Sequence, residues 1–405
     1  MNATDPSTAM RQLYLGVLVV QPSPFCNIDC DYCYLPDRTS TRRMEFDTLR
    51  KVMERVAESG LVGPEFTLLW HAGEPLAVPI SWYEEAFAII ESFPELAGRV
   101  RHNFQSNGTL LNQKWCDFIK RHPVDIGLSI DGPAAIHDSN RKTRSGEGTH
   151  AKAVRGAGLL RANDIPFGVV AVISSSSLDR PDEIYEYFKD ELAIRGVGFN
   201  IEEVEGVNET SSLADQPDER VRSFLQRVFD RNRADGFPLQ IREFENAFEA
   251  IEAPHLNRTP DGKYYNLETE ALAMINVDCH GSFSSFSPEL LGQATDRYQS
   301  FTFGNVLTQS FFEATSNPHF QEVVRDIDAG NQKCADTCPY WGVCGGASPS
   351  NKYYENGSFD STETHHCRSM IQMPIDIVRE FFASLPPEAG DAREEEVAVT
   401  ADTPG

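Results

Sequence analysis

Three cysteines, Cys26, Cys30 and Cys33, stand in a C-x3-C-x2-C pattern directly after an apolar run, Leu13 to Val20, that reads as a buried strand. Three thiolates in one tight loop suit an iron–sulfur cluster, whose usual ligands are cysteine thiolates. A [4Fe–4S] cluster takes four ligands, so three leave one iron open to bind and activate a small molecule. A structural zinc site needs four closed ligands, and no fourth cysteine or histidine lies nearby. A disulfide fits poorly, because three thiols cannot all pair. A second group, Cys334, Cys338, Cys344 and Cys367, falls within 34 residues among glycines and prolines and reads as a second metal site. Zinc is the competing occupant there.

At Cys26-Asn27-Ile28-Asp29-Cys30-Asp31-Tyr32-Cys33 the chain resembles the radical S-adenosylmethionine (radical SAM) superfamily. The resemblance implies a cluster whose open iron holds SAM and cleaves it to methionine and a 5′-deoxyadenosyl radical. It also implies roles for named residues. Ala72-Gly73-Glu74-Pro75 is similar to the family's Gly-Gly-Glu-Pro element on the SAM amino group, with Ala72 in place of the first glycine. Ser129 and Asp131 resemble the ribose-binding pair, a hydroxyl and a carboxylate suited to sugar hydroxyls. Arg141 stands where relatives place an arginine on the SAM carboxylate, a group that a guanidinium binds bidentately; its ordinary alternative is a surface ion pair. Asn107 is expected near the methionine moiety, and Ile173 and the Tyr32 backbone near the adenine.

These residues need a frame. Strand-like runs at Leu13–Val20, Phe66–Trp70, Val100–Gln105, Ile126–Ile130, Phe167–Ile173 and Val197–Ile201 alternate with helical patterns at Phe46–Ser59, Trp82–Ser92, Asn112–Arg121, Ala151–Asn163 and Pro181–Ala193. Strand-then-helix repetition predicts an α/β fold with a parallel sheet and right-handed crossovers. An active site is then expected at the C-terminal ends of the strands. Each of the six runs ends in polar or glycine residues, including His71-Ala72-Gly73-Glu74, Ser106-Asn107-Gly108 and Asn200-Ile201-Glu202-Glu203. The resemblance implies a partial (β/α)6 barrel over residues 12–235. Residues 1–11 are expected to be loose, 236–330 to bridge, 331–384 to form a small auxiliary domain ending in a helix, and 385–405 to be a disordered acidic tail.

Composition narrows the partners. The 405 residues include 36 basic and 61 acidic ones, a net charge of −25, which disfavours nucleic acid. No run approaches a membrane span, and no secretory signal opens the chain, so a cytoplasmic location is expected. Nine cysteines in such a chain argue for metal or redox roles before disulfides. Cys116, within a helical pattern, reads as a core thiol.

The second cysteine group resembles the SPASM domain of radical SAM enzymes that modify peptides. Cys334, Cys338, Cys344 and Cys367 match the ligands of that domain's outer cluster, with one extra residue between the first two. Cysteines expected for an inner cluster are missing around Phe286 and Ser287 and at Ser348, leaving Cys279 alone, so one auxiliary [4Fe–4S] cluster is expected. The stretches Gln21–Cys26, Tyr34–Arg38, Asn200–Glu203, Phe286–Leu290 and Asn351–Phe359 are similar to the cyclophane-forming maturases of glycine-rich-repeat peptides. That resemblance implies abstraction of a side-chain β-hydrogen in a ribosomally made precursor peptide and a C–C crosslink to an aromatic ring. It also implies an aromatic-containing peptide partner and a flavodoxin- or ferredoxin-type electron donor. Glu289, Glu202 and Asp278 are the candidate acid/base groups. The alternatives are a formylglycine-forming anaerobic sulfatase maturase, a thioether-forming maturase, and a non-catalytic iron–sulfur carrier or scaffold. Because the first strand starts near residue 13, no winged-helix leader-binding segment is expected ahead of the barrel.

Overall fold

A computed structural model describes residues 14–252 and 265–386. The expected loose N-terminus and nearly all of the expected acidic tail lie outside the described residues. The elements in chain order are β1 (Val17–Val20), β2 (Ile28–Cys30), α1 (Phe46–Glu58), β3 (Phe66–Trp70), α2 (Ile80–Glu91), β4 (Val100–Ser106), α3 (Gln113–Arg121), β5 (Val124–Ser129), α4 (Ala134–Asn140), β6 (Arg141–Thr143), α5 (His150–Ala162), β7 (Gly168–Ile173), α6 (Pro181–Glu186) and β8 (Gly196–Ile201). There follow α7 (Asp218–Ala234), β9 (Gln240–Ile241), α8 (Arg242–Glu252), β10 (Met274–Val277), β11 (Ser282–Ser285), β12 (Ala294–Thr295), β13 (Gln299–Ser300), β14 (Gly304–Asn305), α9 (Phe311–Thr315), α10 (Pro318–Thr337), α11 (Trp341–Cys344), α12 (Pro349–Asn356) and α13 (Met373–Ala383).

Six strands, in the order β1-β3-β4-β5-β7-β8, are parallel and form the expected α/β barrel sheet. Their burial alternates. In β3, Phe66, Leu68 and Trp70 are buried while Thr67 and Leu69 are half-buried, because successive side chains point to opposite faces. The helix-facing side is fixed by aromatics. Trp70 meets Tyr83 edge-on at 5.3 Å and stacks near Phe104 at 6.3 Å, and Tyr83 also meets Trp115 at 5.8 Å. Such pairs favour one relative orientation of sheet and helices. Cys116 lies in this core, fully buried on α3. The other face carries Asn103, Gln105, Gly127 and Gly198, small or polar residues beside a cavity of about 750 Å³ toward the N-terminal ends of β5, β7 and β8. None of the residues proposed for chemistry lines it.

The sheet does not stop at residue 235. Strand β9 pairs with β8, β10 pairs in parallel with β1, and β11 and β14 continue it antiparallel, giving ten strands. The expected bridging region is therefore partly sheet edge. The expected strand at Leu13–Val20 is shorter, starting at Val17. The helix expected over Pro181–Ala193 changes after Glu186 to a wider, π-helical turn over Tyr187–Glu191. Helices α7 and α10 were not expected. The cysteine group expected among glycines and prolines instead begins on α10, which carries Cys334.

Candidate functional site

The cysteine loop leaves β1 and forms a short ribbon of its own. Strand β2 pairs antiparallel with β6, with Cys30 opposite Arg141. The loop packs on the β3 end through a carbonyl, since an ideal Cβ on Gly73 would sit 2.3 Å from the Ser23 oxygen. Gly73 has φ +123° and Ala72 has φ +62°. A left-handed alanine stores roughly 1–2 kcal/mol. Ala72→Gly is accordingly expected to raise stability by about 0.5–1 kcal/mol after the added chain entropy. Gly73→Ala is expected to cost about 1–3 kcal/mol. Denaturant midpoints of the cluster-free protein check both, and a neutral Gly73→Ala would contradict the close packing.

Glu74 is 2 % exposed and is spoken for by the protein. Its Oε1 accepts from Leu76 N at 2.9 Å and Ser106 Oγ at 2.8 Å, and its Oε2 accepts from Asn107 N at 2.8 Å. Burial pushes its carboxyl up to about 7 against these donors. Glu74 thus ties the rim of β3 to the rim of β4. Asn107 continues the tie. Its Nδ2 donates to Asn27 Oδ1 at 2.9 Å and approaches Cys26 Sγ at 3.8 Å, and its Oδ1 accepts from Thr109.

Asp131 differs from expectation. It is fully enclosed, and its oxygens accept from Tyr32 Oη, from Arg141 Nε at 2.9 Å and from Val172 N at 3.0 Å. The open sugar contact expected of it is filled by protein donors. Arg141, expected on a ligand carboxylate or in a surface pair, is buried, and its ion pair is with Asp131. Its guanidinium lies 5.4 Å from the Tyr32 ring centre and its Nη1 3.8 Å from Cys30 Sγ. Ser129 accepts from Gln105 Nε2 at 3.0 Å at the end of β5. Ile173 is buried and its carbonyl accepts from Glu202 N at 2.9 Å.

The donor sets fit iron–sulfur clusters. All nine cysteines are unpaired. Cys26 and Cys30 are pushed up to about 12 and about 11 by burial, so without a metal both are neutral thiols near donors they do not need. In the second group, burial raises the Cys344 thiol, the backbone N–H groups of Gly346 and Ala347 favour its thiolate, and the neighbouring Cys338 and Cys334 raise it further. Cys367, pushed up to about 12 by burial, feels Cys344 and Cys338 and has Gln372 Nε2 at 3.5 Å. N–H groups aimed at sulfur suit metal-bound thiolates. Among the described residues no three His, Cys, Asp or Glu converge on a single-ion position.

Ser287 and Ser348, where the resemblance called for inner-cluster cysteines, are joined through Ser350. Ser287 Oγ lies 3.0 Å from Ser350 Oγ, which lies 2.9 Å from Ser348 Oγ. Cys279 is buried beside the β10–β11 turn.

The acid/base candidates separate. Asp278 Oδ1 accepts from His280 N at 2.8 Å and Ser282 N at 2.9 Å, closing the hairpin. Glu202 is bonded to the Ser212 hydroxyl. Glu289 instead joins a group that the sequence did not single out, formed with Glu203, Glu205 and Glu268. Asn351 Nδ2 spans Glu203 at 3.0 Å and Glu205 at 3.3 Å, and His366 Nε2 lies 3.3 Å from Glu203. Burial, and then Glu203 and Glu289, push the Glu205 carboxyl well above its usual range. Burial pushes Glu289 up to about 7 even though Ser287 Oγ, at 2.7 Å, favours its charged form. Tyr34 joins this group to the cysteine loop. Its carbonyl accepts from Val207 N at 3.1 Å, and its hydroxyl, pushed well up by burial and then by Glu289, Cys33 and Glu205, is enclosed without a hydrogen-bond partner among the described residues. Just past the end of β8, Glu203 and Glu205 share the Asn351 amide while Glu202 bonds the Ser212 hydroxyl, a separation the sequence alone did not fix.

A family model described as the Radical SAM superfamily matches residues 20–189. An uncharacterized protein of Synechocystis sp., sll1766, is 43 % identical over 368 residues, covering 90 % of this chain and 91 % of that one. A serine-type anaerobic sulfatase-maturating enzyme of Bacteroides thetaiotaomicron is 30 % identical over 197 residues, and the match spans 47 % of this chain and 46 % of that enzyme. Among solved structures, native anSMEcpe with bound AdoMet and Cp18Cys peptide superposes with a TM-score of 0.73 at 21 % identity, over 91 % of this chain and 97 % of that one.

Proposed function

The chain belongs to the radical SAM superfamily and is an enzyme that uses S-adenosylmethionine and [4Fe–4S] clusters, and from that premise we propose that it modifies a ribosomally made precursor peptide by joining a side-chain β-carbon to an aromatic ring. Cys26, Cys30 and Cys33 would hold the SAM-binding cluster, and Cys334, Cys338, Cys344 and Cys367 the auxiliary cluster. When bound, these groups supply a hydrogen-abstracting radical and an acceptor for one electron. The chain's own residues do the rest. Arg141 and Asn107 present N–H donors to the ligand sulfurs, and Glu74 holds two strand rims together beneath them.

The observation that carries the proposal is the placement of Glu289 among Glu203 and Glu205, joined to the cysteine loop by Tyr34, the residue after Cys33. Closing a ring between a carbon and an aromatic removes two hydrogens from the peptide. One leaves as an atom and the other as a proton, and a carboxylate whose pKa sits near neutrality is suited to take that proton. The acidic group also suits a basic segment of peptide.

Glu289→Gln is expected to lower crosslinked product about 10²-fold or more while 5′-deoxyadenosine still forms. Because the base acts deprotonated and its carboxyl titrates near 7, wild-type crosslinking should rise as pH increases through about 7 and level above it. Mass spectrometry of an aromatic-rich precursor peptide checks both. Loss of 5′-deoxyadenosine and product together would move Glu289 out of the proton-transfer role. A second reading, formylglycine formation, is favoured by the match to the sulfatase-maturating enzyme. It predicts an aldehyde on a serine or cysteine, trapped by a hydrazine, instead of a ring between two residues.

A further inference from the structure

Lys352 is 1 % exposed on α12. Its ammonium meets one neutral acceptor, Asn331 Oδ1, at 3.4 Å, and among the described residues it has no carboxylate partner. A buried ammonium supported by one long bond to an amide carries a heavy desolvation penalty. A compensating negative charge is therefore called for within the auxiliary region itself.

The surroundings point to its source. Asn331 lies one helical turn before Cys334 on α10, so the two share a face. The Asn331 amide is packed on the Gly346 backbone: an ideal Cβ there would fall 2.2 Å from its Oδ1. Gly346 lies two residues from Cys344, and its backbone N–H favours the Cys344 thiolate. Ammonium, amide, glycine backbone and cysteine sulfur thus form one continuous layer. Four thiolates around a [4Fe–4S] core would carry a net negative charge at the other end of that chain of contacts from Lys352.

We propose that Lys352 is the buried countercharge of the auxiliary cluster and holds its reduction potential up, an inference that rests on Cys334, Cys338, Cys344 and Cys367 being that cluster's ligands. Reduction adds negative charge, so a fixed positive charge nearby favours the reduced state. The effect is strong where the dielectric is low.

The test is a redox titration, followed by electron paramagnetic resonance, of the full-length anaerobically reconstituted protein with Lys352→Gln and Lys352→Arg. Lys352→Gln is expected to lower the auxiliary midpoint so that the reduced-to-oxidised ratio at a fixed potential falls about tenfold, which is about 59 mV for a one-electron couple. Lys352→Arg is expected to restore most of the shift, and the cluster at Cys26, Cys30 and Cys33 to keep its midpoint in both. If Lys352→Gln retains about eight irons, two clusters of four, with an unmoved midpoint, the countercharge role is wrong. If it loses about four irons that Lys352→Arg keeps, the charge requirement is supported. If both variants lose them, the residue acts by packing and the proposal falls. A wild-type count of about four irons would instead remove the auxiliary cluster itself, a failure distinguishable by that count alone.

Discussion

Replacing Cys30 by alanine is expected to abolish 5′-deoxyadenosine formation and to remove about four of about eight irons, while the same change at Cys338 removes about four irons and leaves SAM cleavage measurable. The asymmetry follows from the two donor sets. Cys30 would be one of three ligands on a loop held by the β2–β6 ribbon, and a cluster that already has an open iron has no ligand to spare. Cys338 belongs to a set of four in a separate region, between α10 and α11. Iron and labile-sulfide counts on the anaerobically reconstituted variants, with chromatography for 5′-deoxyadenosine, read out both. About twelve irons in the wild type would mean that Ser287 and Ser348 had been misjudged, and that an inner cluster is held by ligands other than the missing cysteines. Bound zinc in place of four of the irons would make the second site structural.

Asp131→Asn is expected to destabilise the protein by about 3–5 kcal/mol, the cost of leaving one partner of a buried ion pair uncompensated. Asp131 is fully enclosed and Arg141 is nearly so, so water screens the pair little. The loss should reach the cysteine loop as well, because Asp131 also receives the Tyr32 hydroxyl and Arg141 approaches Cys30 Sγ. Denaturant unfolding of the cluster-free protein gives the stability term. The expectation for the double variant Asp131→Asn/Arg141→Leu is a smaller loss than for Asp131→Asn alone, since no charge is then stranded. A single-variant loss under about 1 kcal/mol, the size of an exposed pair, would mean that the site is wet and open to a ligand sugar after all.

Much of this was legible in the chain. Period-two burial and apolar runs marked the six parallel strands to within a few residues, as at Phe66–Trp70, because a strand covered on both faces must be apolar along its length. Cysteine spacing singled out both candidate metal sites, because ligands of one cluster must lie within a few ångströms and short loops are the easiest way to ensure that. The residues at Phe286, Ser287 and Ser348 led to the expectation of a single auxiliary cluster, and in the fold Ser287 and Ser348 are bridged through Ser350.

What the sequence left open was pairing across long separations. Asp131 and Arg141 were each legible as polar groups at the rim, but their mutual burial depends on β6 returning to pair with β2, and a three-residue ribbon has too little periodicity to be read. Glu203 and Glu205 carry no sign in the chain of joining Glu289, because nothing local tells which residues past a strand end turn to the site. Lys352 stood in a stretch that read only as a resemblance, and its burial without a carboxylate partner among the described residues emerges only once its ammonium meets Asn331 of α10. Residue types and local spacing thus determined the chemistry available and the frame that carries it. The tertiary structure decided which charges face one another and which are left for a bound group to satisfy, because those energies depend on distance and burial, which no local pattern encodes.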